Sequence, residues 1–288
     1  MNILKSMGLA KVLALAVSAA AGLYAWNCQA QEPLVKNGDK IAFLGDSITQ
    51  QGGNNPGGYV NLILKGLEVN GIKVEAIKAG ISGNKSNDML ARLDGQVISK
   101  KPNFMTLSCG VNDVWHGDRG VPLDQYKTNI TAILDKAQVA NVKVVILTST
   151  LINGMNSDNS KKLDAYNDFL RSLAKERNLP LADVNADDKE IEKAKGAKSY
   201  LKTDGVHMYI KGDEMMAKSV LGALGLNQAQ LNKAHEAWLD MPGTCPVQVK
   251  LTLRQFDKMV EKAEADKGQP VFNYINGLFS KMIESESK

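Results

Sequence analysis

Cysteine and histidine are scarce in this chain, three of each in 288 residues. Three cysteines cannot staple a chain of this length, so a buried apolar core has to hold it together. No sign of charge dominates either. The 35 basic and 31 acidic residues leave a net charge of +4 and are spread along the chain, which argues against the basic footprint of a nucleic-acid binder. There is no internal repeat and no low-complexity tract. A composition that is 44% hydrophobic and 23% charged excludes wholesale disorder and a collagen-like or coiled-coil chain. His-Glu-x-x-His, paired metal-binding cysteines, a phosphate-binding glycine loop and a Gly-x-Ser-x-Gly elbow are all missing. What is present is length enough for one large domain, or one domain plus a small appendage.

The first thirty residues differ from the rest. Lys5 and Lys11 precede an uncharged run from Val12 to Ala25, and Cys28-Gln29-Ala30 follows with small residues at its first and third positions. This is the tripartite pattern of a secretory signal, with cleavage expected after Ala30. The run is shorter than the ~20 residues that span a bilayer, and Trp26 and Asn27 are too large or polar for a lipobox ahead of Cys28. The expectation is an exported protein, periplasmic or secreted, with no membrane insertion once the signal is gone. Removing residues 1–30 takes away two lysines and no acids, leaving 33 basic against 31 acidic residues. Cys109 and Cys245 remain; they could pair in an oxidising compartment or stay as two buried thiols.

From residue 40 onward short apolar runs alternate with helix-period segments. Expected strands are Lys40–Gly45, Lys73–Ala79, Asn103–Cys109, Lys143–Ser149 and Leu179–Val184, each apolar enough to be covered on both faces. Expected helices lie near 57–70, 86–100, 123–140, 160–177 and 213–224. Within 126–139, Ile130, Ile133, Leu134 and Ala137 recur at helical spacing and form one core-facing stripe. This alternation predicts βαβ units and a three-layer α/β/α sandwich around a five-stranded parallel sheet. Near Gly225 the rhythm changes. Residues 226–240 read as a helix, Met241–Pro246 as a break, Val247–Leu251 as a β-like run, and two helices separated by Gly268-Gln-Pro270 end the chain. Thr252 and Gln255 have the spacing of a capping box. The expected division is therefore 1–30 signal, 31–225 main domain and 226–288 mainly helical accessory segment, either docked on the main domain or serving homodimerisation.

In open parallel sheets functional groups collect outside the carboxyl ends of the strands. After the first strand comes Gly45-Asp46-Ser47; a serine here faces a substrate or caps the next helix. The second strand is followed by Ala79-Gly-Ile-Ser-Gly83-Asn84, whose glycines permit close backbone approach or simply make a tight turn. After the third strand comes Gly110-Val-Asn112-Asp113, with Asn112 able to offer a side-chain amide donor. Far downstream, Asp204-Gly-Val-His207 sets a carboxylate and an imidazole three residues apart. A serine nucleophile needs a base, a group orienting the base, and donors for an oxyanion. His235 falls within a helix as a surface residue, and His116, beside Trp115 in a glycine-rich loop, has no acid at a comparable spacing. His207 alone comes with a carboxylate partner.

In their order and spacing, Gly45-Asp46-Ser47, Gly83, Gly110-x-Asn112-Asp113 and Asp204-x-x-His207 resemble the motif blocks of the SGNH (GDSL-type) esterase/lipase family, over roughly residues 38–225. The resemblance implies a flavodoxin-like SGNH hydrolase fold with a C-terminal helical extension, and a carboxylic ester hydrolase. It implies Ser47 as nucleophile, His207 as base and then acid, and Asp204 as the holder of the imidazole tautomer. The N–H groups of Ser47 and Gly83 and the Asn112 side chain would form the oxyanion hole. Asp46 and Asp113 would organise loops, and neither metal nor cofactor would be needed. Trp115 and His116 are candidates to line the substrate cleft, Trp115 by stacking on a sugar. The polar stretch 153–160 suits a rim or lid. The runs Gly110–His116 and Thr203–Met208 are similar to bacterial exported members of the family, many of which act on acetylated glycans. The leading expectation is a carbohydrate O-acetylesterase acting on a glycan or small-molecule ester. Ile81-Ser-Gly83 and Ala91-Arg-Leu93 also resemble periplasmic lysophospholipases and acyl-thioesterases. A non-catalytic glycan-binding module retaining the fold is the rival from another class.

Overall fold

The apolar runs form five strands, β1 (Lys40–Gly45), β2 (Glu75–Gly80), β3 (Phe104–Ser108), β4 (Lys143–Leu147) and β5 (Leu181–Ala182), in a computed structural model that describes residues 32–195, 204–242, 251–266 and 268–286. The expected signal, Cys28, Cys245 and the β-like run apart from Leu251 lie outside the described residues. All neighbouring strands are parallel, in the order β2-β1-β3-β4-β5. Every residue of β3, and Ile41–Gly45 of β1, is buried, as central strands with helices on both faces require. At the edge, β2 alternates instead, with Glu75 and Lys78 exposed and Ile77 and Ala79 buried.

β5 is shorter than the expected Leu179–Val184. Pro180 has no N–H to give the ladder, although its carbonyl accepts from Ile146 N–H at 2.9 Å, and Thr148 N–H reaches Ala182 O at 3.1 Å. Beyond Ala182 the chain turns at Asp183 into a helix that claims Val184.

The helices are α1 (Ser47–Asn54), α2 (Tyr59–Val69), α3 (Ser86–Gln96), α4 (Val111–Trp115), α5 (Leu123–Val139), α6 (Asp158–Glu176), α7 (Val184–Lys195), α8 (Ile210–Ala223) and α9 (Gln228–Leu239). α2 packs with α8 and α9 on one side, while α3 packs with α5, and α5 with α6, on the other. The expected stripe of α5, Ile130, Ile133, Leu134 and Ala137, is buried. α1, α4 and α7 do not stand out in the sequence. α1 carries Gly52-Gly53 where a helix usually has side chains to pack, α4 is only five residues long, and α7 is dominated by charge. The stretch expected as a polar rim is also more ordered than its composition suggests. Ser157 accepts from Ser160 N–H and caps α6, and Ser160 is buried, while Asn153, Asn156 and Asp158 are exposed.

The helix read as the start of an accessory segment belongs to the first compact unit, which runs to Thr244. Gly66 on α2 lets α9 approach closely. A Cβ there would stand 3.1 Å from the Ala234 Cβ and 2.6 Å from Leu221. Trp238 is buried and donates its indole N–H to Leu62 O at 2.8 Å. The boundary thus moves from 225 to after 244, because the apolar stripe of α9 is part of the core. His235 moves with it. Its side chain is partly buried, with Nδ1 2.9 Å from Glu214 Oε1. The second unit, 245–288, contains α10 (Leu253–Ala265) and α11 (Val271–Glu286), which contact each other. Thr252 and Gln255 form the expected capping box at the start of α10.

Candidate active site

The strand order reverses around β1, with β2 on one side and β3 on the other. Such a switch point opens a crevice outside the carboxyl ends of the strands. Ser47 lies there, two residues past Gly45, at the first position of α1. Asp46 is the N-cap of that helix, its Oδ1 accepting from Ile48 N–H at 2.9 Å. The turn is tight. A Cβ on Gly45 would fall 2.0 Å from Thr49 Oγ1 and 3.2 Å from Ser108 O, so glycine is required where the strand bends into the helix.

Ser47 Oγ is 2.7 Å from His207 Nε2, and His207 Nδ1 is 2.5 Å from Asp204 Oδ2. The other oxygen of Asp204 accepts from the N–H groups of Val206 (3.1 Å) and His207 (3.0 Å). This local turn explains why acid and imidazole stand three residues apart: the carboxylate organises the loop with one oxygen and the ring with the other. The loop is tied in place from outside, since Asn153 N–H donates to Gly205 O at 2.8 Å. Ser47 is buried and the His207 side chain is 14% exposed, whereas Asp204 is 46% exposed.

The candidate oxyanion donors follow three strand ends. Ser47 occupies the first helical position, whose N–H has no partner within the helix. Gly83 adopts φ +77, a left-handed conformation that favours glycine, in a turn closed by Asn84 N–H donating to Ile81 O at 3.2 Å. The Asn112 amide donates to Asn84 O at 3.1 Å. An amide has two hydrogens, so one remains for a substrate oxygen.

Two buried carboxylates lie behind the site. Burial pushes the Asp46 carboxyl up to about 7, against the opposing pull of the Ile48 N–H, and the Asp113 charge adds to the rise. Burial likewise raises Asp113, partly offset because it accepts from Ser86 N–H and Ser86 Oγ (2.6 Å). The Cys109 thiol is free and buried, 3.6 Å from Asp113 Oδ2, and burial pushes it well above its ordinary value. Asp204 differs. Its partial burial also works upward, but the backbone N–H and ring of His207 and the Val206 N–H outweigh it and hold the carboxyl below its ordinary value. It stays ionised at neutral pH.

Trp115, at the end of α4, is half-buried against the core, with its ring centroid 6.3 Å from that of His116. Neither is joined by a hydrogen bond to Ser47, His207 or Asp204. Among the described residues no group of three or more His, Cys, Asp or Glu side chains is gathered as a metal site would need, and no helix is long and apolar enough to cross a membrane. Asn153 belongs to the polar stretch 153–160, but its tie to the Asp204 loop is not readable from the sequence, nor is the role of Arg92, whose guanidinium donates to Gly45 O at 2.9 Å and to Asn84 Oδ1 at 2.7 Å. Only the Ala91-Arg-Leu93 run hinted at the latter.

Residues 43–215 match the sequence model of the GDSL-like lipase/acylhydrolase family. An acetylxylan esterase of Geobacillus stearothermophilus is 26% identical over 211 residues, covering 66% of this chain and 96% of that protein. The solved structure of Axe2, an acetylxylan esterase from the same organism, superposes with a TM-score of 0.62 at 24% identity, over 67% of this chain and 97% of that one. The acetyl xylan esterase AlAXEase is 32% identical, with a TM-score of 0.60 over 64% of this chain and 98% of its own. Esterase TesA of Pseudomonas aeruginosa is 25% identical over 181 residues, 62% of this chain and 85% of that protein. With three fifths of its length inside the family match and its strands in a five-stranded parallel sheet, this chain belongs to the GDSL-like lipase/acylhydrolase family and is a carboxylic ester hydrolase.

Proposed function

We propose that the protein removes O-acetyl groups from carbohydrates through an acyl-enzyme on Ser47. The observation that carries this reading is the continuous chain from Ser47 Oγ through the His207 ring to Asp204. His207 Nε2 takes the Ser47 proton as Oγ attacks the ester carbonyl, and Asp204 holds the ring with its Nδ1–H on the carboxylate. The N–H groups of Ser47 and Gly83 and the Asn112 amide bind the resulting oxyanion. His207 then returns the proton to the leaving sugar hydroxyl. A water, activated by the same ring, cleaves the acetyl–Ser47 bond and releases acetate.

The sugar ester rests on the relatives. The Geobacillus stearothermophilus relative and AlAXEase are both named as acetylxylan esterases and are covered almost end to end. Trp115 and His116 follow Asn112 in the chain, and we assign them to the wall of the sugar site. The N-terminal lysines and uncharged run support an exported protein. A second reading, hydrolysis of longer acyl esters, draws on the similarity to esterase TesA. Acyl-length dependence separates the two. Fast release of acetate from acetylated xylo-oligosaccharides, with octanoyl esters cleaved poorly, supports the first, and the reverse order sinks it. Ser47→Ala should abolish both. A variant that still hydrolyses p-nitrophenyl acetate at the parent rate would show that Ser47 is not the nucleophile and would reopen the glycan-binding alternative.

A further inference from the structure

We infer that Arg92 is a positioning residue for the oxyanion site, holding together the turns that carry its donors. This inference rests on the hydrolytic reading of Ser47 and deepens it. The ladder between β1 and β2 ends at the pair Gly45–Gly80. Ser47 lies two residues beyond one strand and Gly83 three residues beyond the other, so sheet pairing does not set their separation. Past the ladder, Ile81 N–H donates to Gly45 O at 3.1 Å. The guanidinium of Arg92, projecting from α3, supplies two further links. One terminal nitrogen donates to that same Gly45 carbonyl at 2.9 Å, and Nε donates to the Asn84 side-chain oxygen at 2.7 Å. The other terminal nitrogen donates to Gln96 Oε1 at 3.0 Å, which fixes the plane of the fork.

The third donor is reached through the same residue. Asn84 adjoins Gly83, and its backbone oxygen accepts from the Asn112 amide at 3.1 Å. Arg92 thus grips the peptide ahead of Asp46-Ser47 with one nitrogen and, with another, the asparagine that adjoins Gly83 and orients Asn112. A planar fork with fixed angles between donors suits this task, and a lysine, a single flexible point charge, does not. Half-burial strengthens such charge-assisted bonds relative to neutral ones. Preorganised donors stabilise an oxyanion because they need not move as charge develops, so loosening them acts on the transition state more than on the bound ester.

The test uses the full chain and four variants, Arg92→Met, Arg92→Lys, Asn84→Ala and the double variant Arg92→Met/Asn84→Ala, with Ser47→Ala as control. The readouts are kcat and KM on p-nitrophenyl acetate, inhibition by phenylboronic acid, and the thermal midpoint. Boron accepts the serine oxygen and forms an anionic tetrahedral adduct that places one of its hydroxyls where the oxyanion forms. The expected result is a kcat about 10–100-fold lower in Arg92→Met, with KM little changed and boronate inhibition weakened by a similar factor. Arg92→Lys should recover only part of the loss. Asn84→Ala should lower kcat less, and the double variant should fall no further than Arg92→Met. The inference is overturned if Arg92→Met keeps its kcat, if KM alone rises, or if boronate inhibition is untouched while kcat falls only with the folded fraction. If Arg92→Met does not fold, an unchanged kcat in Asn84→Ala overturns it. An active Ser47→Ala would remove the hydrolytic reading itself. An inactive Ser47→Ala beside an unaffected Arg92→Met would remove this inference alone.

Discussion

Asp46 and Asp204 differ sharply in environment. Asp204 keeps its charge because three hydrogen bonds favour the ionised form. It can therefore hold the His207 ring in one tautomer across the neutral range. Replacing it by asparagine keeps the shape and can invert the tautomer, so Asp204→Asn should cut kcat on the order of 10³-fold with little change in KM. Steady-state kinetics at neutral pH decide this. Asp46 is placed in the opposite way. It caps α1 from a buried position, and its carboxyl is pushed up to about 7. In the unfolded chain the group ionises near 4, while in the folded protein it holds its proton until about 7. Between those limits the folded state binds more protons than the unfolded one, so stability contributed by Asp46 is present below the lower limit and falls as pH rises through the window. Asparagine offers the same oxygen to Ile48 N–H without a titrating proton. Asp46→Asn should thus gain on the parent by a few kcal/mol, in order of magnitude, between about pH 4 and pH 7. Urea midpoints at pH 5 and pH 8 measure the trend, and a constant difference would contradict it.

At the level of elements, legibility followed how local the cause was. β1, β3 and β4 are unbroken apolar runs because both faces are covered, and so they stand out in the sequence. β5 is curtailed by Pro180 and by the turn at Asp183, a competition that apolarity alone does not reveal. α1 is hidden by Gly52-Gly53, yet it carries Ser47. The pairing of Asp204 with His207 could be read because both oxygens of one carboxylate serve a single turn. The bonds from Arg92 to Gly45 and from Asn153 to Gly205 could not, because they join residues about fifty positions apart through geometry that only the folded sheet creates. The β1–α1 junction gives a sharp test. A methyl group on Gly45 would collide with Thr49 and crowd Ser108 O. Gly45→Ala should cost about 1–3 kcal/mol of stability and displace Ser47 from His207. Chemical denaturation and kcat measured together should both show the loss.

For the whole molecule, the decisive border is the one after residue 244. A chain ending there keeps α9, with Trp238 and Ala234 packed on α2, and should fold and cleave p-nitrophenyl acetate like the full chain. One ending after Gly225 uncovers that face of α2 and should lose at least about 3 kcal/mol; comparison of the two midpoints checks this. The longer truncate also addresses self-association through α10 and α11, since a solution mass that falls only by the removed segment would sink a dimer built on them. The bond between Ser47 and His207 closes a span of 160 positions. Nearly the entire domain must therefore be assembled before the two side chains meet. A polypeptide emerging from a ribosome presents Ser47 long before His207 has been made. On the proposed catalytic reading, a nascent chain is silent toward esters until the segment carrying Asp204 and His207 has joined the fold.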